Sequence, residues 1–122
     1  MKHHFKSLKI WQLAMDLVVL VYSITKKFPI EERYGLVSQM NRCAVSIPSN
    51  IAEGSGKSSN EAFGVYLSHS LGSLYELETQ VIVSYKLKYI EEIVFESISE
   101  KIAELEKMII GFIKKIKQPS NL

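Results

Sequence analysis

Apolar residues recur at alternating spacings of three and four along nearly the whole chain, and the pattern divides it into four helical segments. The first, about residues 8–27, places Ile10, Leu13, Ala14, Leu17, Leu20, Val21, Ile24 and Phe28 on one face before Pro29 ends it. The second, about 32–54, follows the acids Glu31 and Glu32, which suit a first helical turn, and carries Val37, Met40, Ala44, Ile47 and Ile51. Gly54-Ser55-Gly56 stops it. The third, about 59–88, starts at a cap, Ser58 or Ser59, with Glu61 in its first turn. Its stripe is Phe63, Leu67, Leu71, Leu74, Leu77, Val81 and Tyr85. The fourth, about 91–117, carries Phe95, Ile98, Ile102, Leu105, Ile109, Phe112 and Ile116 in a nearly strict heptad seam, and Pro119 closes it.

Nothing alternates with period two, and no Asn-Gly or Asp-Gly hairpin signal occurs. Helices of this length span roughly 30–45 Å at about 1.5 Å per residue. Short connections favour antiparallel neighbours. The expected fold is all-α: one antiparallel up-down-up-down four-helix bundle over residues 1–122.

Two polar or apolar stripes exceed what a plain bundle needs. In the first segment, Trp11, Met15, Val18 and Tyr22 form a second apolar stripe about a third of a turn from the main seam. A monomeric bundle helix needs one such stripe, so this one is a candidate oligomer interface. The alternative is that the second and fourth segments both pack there. In the second segment, Pro48 removes a helical hydrogen bond and should bend or break the helix, a cost of about 3 kcal/mol. Gln39, Arg42, Ser46, Asn50 and Glu53 still form one polar stripe, with His69, Ser73, Glu76 and Gln80 as a counterpart on the third segment. Arg42 with Glu76 or Glu53 is the expected pair in a network between helices or subunits. A ligand site on the kink is the competing reading.

Charge then adds a third feature. The chain has 122 residues and a formal net charge of only +2, so its overall balance implies no nucleic acid. In an up-down-up-down arrangement, however, Lys2, Lys6, Lys9, Lys57, Lys114, Lys115 and Lys117 gather at one end, opposed mainly by Glu53 and Glu61. Such a cap suits a phosphate backbone, and ring assembly would multiply its field. The same lysines also complement a helix dipole or simply meet solvent.

Chemistry narrows the remaining classes. The one cysteine, Cys43, excludes an internal disulfide and reads as a small buried hydrophobe. Gly54-Ser55-Gly56-Lys57 follows a helix instead of a strand and lacks phosphate-loop spacing. His3, His4 and His69 never follow a Glu by three positions, so no di-metal site is expected. Glu76 and Glu78 fall on different helix faces. No catalytic constellation, metal or cofactor is expected. The longest apolar run, Leu17 to Tyr22, is far short of the ~20 residues of a membrane helix. The N-terminus has a basic start but no apolar stretch ending in a cleavage site, so a cytoplasmic protein is expected.

Several stretches resemble one bacterial family. They are Phe5 to Ala14 (FKSLKIWQLA), Phe28-Pro29 with Tyr34-Gly35-Leu36, Gln39 to Gly54 (QMNRCAVSIPSNIAEG), and Gly72 to Gln80 (GSLYELETQ). Together they are similar to the four helix bundle proteins, also called 23S rRNA intervening-sequence proteins, over nearly the whole chain. The resemblance implies a homopentameric ring of four-helix protomers. It also implies kinship with the accessory variability determinant of diversity-generating retroelements, a basic pentamer that binds nucleic acid and a reverse transcriptase. Two functions are therefore expected to compete: an RNA- or DNA-associated accessory protein, and a scaffold that presents its polar stripe to a partner protein.

Overall fold

Four α-helices and two short 3-10 turns make up the secondary structure of the computed structural model, which describes residues 4–118. The helices are α1 (Lys9–Thr25), α2 (Leu36–Ser55), α3 (Asn60–Lys86) and α4 (Glu92–Lys117), and the turns are Phe5–Ser7 and Ile30–Glu32. No strand occurs among the described residues. The result is an all-α four-helix bundle.

Each apolar seam supplies the core it predicts. Ile10, Ala14, Leu17, Val21 and Ile24 of α1 meet Met40, Ala44, Ile47 and Ile51 of α2. Phe63, Leu67, Leu74, Leu77 and Val81 of α3 and Ile98, Ile102, Leu105 and Ile109 of α4 complete one contiguous cluster. Burial of side chains this size stabilises the fold by roughly 1.5–3 kcal/mol each before chain entropy is counted. Leu13, Leu20, Val37, Leu71, Tyr85, Phe95, Phe112 and Ile116 are half-buried at its rim. Two ring pairs join α3 to α4: Tyr85 stacks on Phe95 with centroids 4.2 Å apart, and Phe63 meets Phe112 edge-on at 5.6 Å.

Helix ends show where local chemistry departs from the pattern. α2 begins at Leu36, not near residue 32, because Ile30–Glu32 turns as a 3-10 segment instead. Glu32 still serves that helix. Its Oε1 accepts the Leu36 N–H at 3.2 Å, and its Oε2 accepts the Tyr89 hydroxyl at 2.9 Å. One carboxylate thus caps α2 and ties it to the segment after α3. Ser59 caps α3 by accepting the Ala62 N–H at 3.1 Å. At the other end of α3, the Tyr89 N–H reaches the Ser84 carbonyl and the Lys88 N–H that of Tyr85, both at 2.9 Å. This is a Schellman closure, and it puts Lys88 at φ 66°, a conformation that favours glycine.

Pro48 does not break α2, which runs unbroken from Leu36 to Ser55 with Pro48 buried inside it. The proline leaves the Ala44 carbonyl without its usual donor. Around it, hydroxyl and amide side chains bond backbone carbonyls: Ser46 to Cys43 at 2.6 Å, Ser49 to Val45 at 2.8 Å and Asn50 to Ser46 at 2.8 Å.

Candidate functional site

The seam between α2 and α3 is the most polar part of the interior. Ser70, fully buried, donates its hydroxyl to the Ile47 carbonyl at 2.6 Å. The Cys43 thiol donates to the Ser73 carbonyl at 3.0 Å. Ser84 donates to the Gln80 carbonyl at 2.8 Å and lies 3.4 Å from the Met40 sulfur. Gln80 is buried, sends its amide toward a Glu76 oxygen at 3.4 Å, and leaves its own Oε1 without a donor. Burial, with the Glu76 carboxylate adding to it, pushes the Cys43 thiol up to about 12. A thiol held protonated is a poor nucleophile, so the geometry gives Cys43 a packing role.

Of the polar stripe, Ser46 and Asn50 bond their own helix, whereas Gln39, Arg42, Glu53 and Glu76 are exposed. The ion pair expected of Arg42 with Glu53 or Glu76 does not form among the described residues, because all three side chains point to solvent and need no partner. His69 is also exposed and sets its ring edge-on to Tyr66, with centroids 5.8 Å apart.

Gly54 explains part of the same segment. A Cβ there would lie 2.6 Å from the Tyr66 Cβ and 2.9 Å from Cδ1 of Phe63. The glycine lets α2 and α3 approach closely, and no glycine among the described residues has positive φ.

The second apolar stripe of α1 borders a shallow groove of about 330 Å³. Phe5, Trp11, Met15 and Val18 line one side, and Val45, Pro48, Ser49 and Ala52 of α2 the other. Phe5 and Trp11 pack edge-on at 5.3 Å, so the first 3-10 turn closes one end. Met15 keeps 39% of its surface and Tyr22 48%, and Trp11 and Val18 are half-buried. α2 covers this stripe only in part.

Two of the basic residues converge on the first turns of α3. The Lys57 ammonium sits 4.9 Å over the Tyr66 ring, and a Cβ on Gly64 would lie 3.5 Å from Cε of Lys117. Lys6, Lys9, Lys114 and Lys115 are exposed, as are the opposing Glu53 and Glu61. Lys2, His3 and Pro119 lie outside the described residues.

A pair of carboxyls was not visible in the sequence at all. Burial first, and the Glu78 carboxyl of α3 second, push the Glu106 carboxyl of α4 up to about 7, and the Glu106 Oε2 is buried without a donor. Neither residue stands out by spacing, since only the register of two helices brings them together. No group of three or more His, Cys, Asp or Glu side chains suited to a metal occurs among the described residues. No helix among them is long and apolar enough to cross a membrane.

Comparison with known proteins fits this picture. The structure is similar to the crystal structure of a protein of unknown function from the S23 ribosomal protein family of Bacteroides thetaiotaomicron VPI-5482. The TM-score is 0.78 at 25% identity, and the match covers 86% of this chain and 98% of that one. None of the curated proteins matches this chain. The family model described as 23S rRNA-intervening sequence protein matches residues 6–111, and to that family this chain belongs.

Proposed function

We propose that this protein is a non-enzymatic, self-assembling accessory protein that binds RNA through the lysine-rich end of its bundle. The observation that carries the reading is the convergence of Lys57 and Lys117 on the first turns of α3. Helix order supports it. Met40 lies by Ser84, Ile47 by Ser70 and Gly54 by Phe63, as an antiparallel pair requires. Phe5 lines a groove with Ala52, which supports a place for Lys6 and Lys9 near the end of α2. An up-down-up-down path then gathers Lys6, Lys9, Lys57, Lys114, Lys115 and Lys117 on one cap. The half-covered groove along α1 is the contact through which copies join, in a ring of five as the family resemblance suggests. A cytoplasmic location accords with an RNA partner.

Mobility of ribosomal RNA fragments in a salt series tests this. Affinity should fall steeply between about 50 and 200 mM salt, because phosphate contacts release counterions. Reversing Lys114, Lys115 and Lys117 to glutamate should flatten the slope. Binding that ignores both changes refutes the reading.

One observation favours a second reading, a scaffold for a partner protein. Gln39 and Arg42 of α2 and Glu76 of α3 are exposed, with Arg42 forming no ion pair among the described residues. Arg42→Ala would then abolish partner capture while fold and assembly persist. Loss of the fold itself would remove that reading.

A further inference from the structure

We propose that the Tyr66 ring, with Lys57 and His69 beside it, is a stacking platform for an unpaired base, so that the RNA this protein takes is single-stranded. The platform presupposes the RNA binding proposed above and specifies the form of the strand.

Tyr66 is held in place before any ligand arrives. A Cβ on Gly54 would fall 2.6 Å from the Tyr66 Cβ, so α2 packs its bare backbone directly against the root of this side chain. The ring is half-buried and reaches the link between α2 and α3, where the Lys57 ammonium lies 4.9 Å from its centroid. His69, about one turn further along α3 and exposed, sets its ring edge-on at 5.8 Å. Two aromatic rings and a cation therefore adjoin one another on the same side of α3. On the opposite flank of these turns lies Lys117, whose Cε would be 3.5 Å from a Cβ on Gly64. Residues 64 and 66 are about 200° apart around the helix, so the two lysines flank α3 from both sides.

Lysines alone attract any phosphate chain, and attract a duplex most because its charge is denser. A ring adds affinity only where a base shows its face, and in a duplex the neighbouring pairs cover that face. The ammonium over Tyr66 is no obstacle, since the flexible lysine stem lets it swing to a phosphate while the base takes the ring. The acids on either side of the link, Glu53 and Glu61, are exposed. They oppose a dense run of phosphates there but not an uncharged base, which again favours one unpaired strand over a duplex.

Fluorescence anisotropy of the full chain with an oligouridine of about 20 nucleotides, and with an RNA duplex of the same length, makes the comparison. The single strand should bind about tenfold more tightly. Tyr66→Leu should weaken it about tenfold while changing the duplex by less than about twofold, and Tyr66→Phe should keep the natural affinity. The salt slope should match in these three proteins, since no phosphate contact is lost, whereas Lys57→Ala should lower its magnitude by about one. Where Tyr66→Leu folds poorly, photocrosslinking of the natural chain to a bromouridine strand reads the same contact without a substitution, and adducts should fall on Tyr66 or His69. The platform is refuted if the duplex binds as well as the single strand, if Tyr66→Leu binds the single strand as the natural chain does, or if adducts form only elsewhere; in each case RNA binding itself survives. A natural chain that binds neither RNA overturns both.

Discussion

Replacing Gly54 with alanine sets two effects of opposite sign against each other. In an exposed helix interior, Gly→Ala stabilises by about 0.5–1 kcal/mol, because glycine loses more backbone freedom on folding. At position 54 the new Cβ would lie 2.6 Å from the Tyr66 Cβ and 2.9 Å from Cδ1 of Phe63. A ring can turn, but a Cβ is fixed to its backbone, so α2 and α3 must separate. Overpacking of this kind costs about 1–3 kcal/mol. The net expectation is destabilisation by about 1–2 kcal/mol, or a fall in Tm of about 4–8 °C for a chain this size. Gly72 and Gly111 provide controls, since both lie inside helices and a Cβ at either meets nothing within 4 Å. Alanine there should raise Tm by about 2–4 °C. Thermal and urea unfolding of the three variants, at one protein concentration so that assembly stays constant, makes the comparison. A Gly54→Ala protein as stable as the Gly72→Ala protein would refute the close-approach argument.

Three other substitutions or reactions probe separate features. Lys88→Gly should stabilise by about 0.5–1 kcal/mol, because it relieves a left-handed residue while adding unfolded-state entropy; urea midpoints measure it. Ser70→Ala should destabilise by about 1 kcal/mol through loss of the buried bond to Ile47, and calorimetry that shows no change would contradict that bond's importance. Cys43, with its thiol held up to about 12 against an ordinary value of 9.0, should react with iodoacetamide at about pH 8 roughly a thousandfold slower than in the urea-unfolded chain. Equal rates in both states would mean that the thiol is neither shielded nor held protonated.

Periodicity made the core legible. A helical face is written in one local stretch of chain, so Ile10 to Ile24 or Ile98 to Ile109 can be read without knowing what they touch. The Ser59 cap was legible for the same reason. What escaped depends on partners distant in sequence or on a backbone choice unusual for the residue. Glu32 looks like a first-turn acid, yet it caps from outside the helix because the chain tightens into a 3-10 turn first. Gly54 looks like a stop signal, yet its small size is used against Tyr66. Lys88 gives no hint of its left-handed conformation. Arg42 was expected to pair because its stripe adjoins apolar surface; its exposure in the structure removes that need. The family was legible, since the Gln39–Gly54 stretch is unusual in its order of residues, and the family match spans it.

The polar seam between α2 and α3 also bears on how the chain finds its fold. A four-residue link joins the two helices, and their contacts, from Gly54 with Tyr66 outward to Met40 with Ser84, are as local as helix pairing allows. Ser70 on Ile47 and Cys43 on Ser73 add polar contacts that help hold this alignment of the two helices. Local contacts and these polar bonds favour this hairpin as the folding nucleus, with α1 and α4 expected to condense onto it. Mutations at Ile47, Ser70 and Leu74 should therefore slow folding, whereas those at Leu17 or Ile102 should chiefly hasten unfolding.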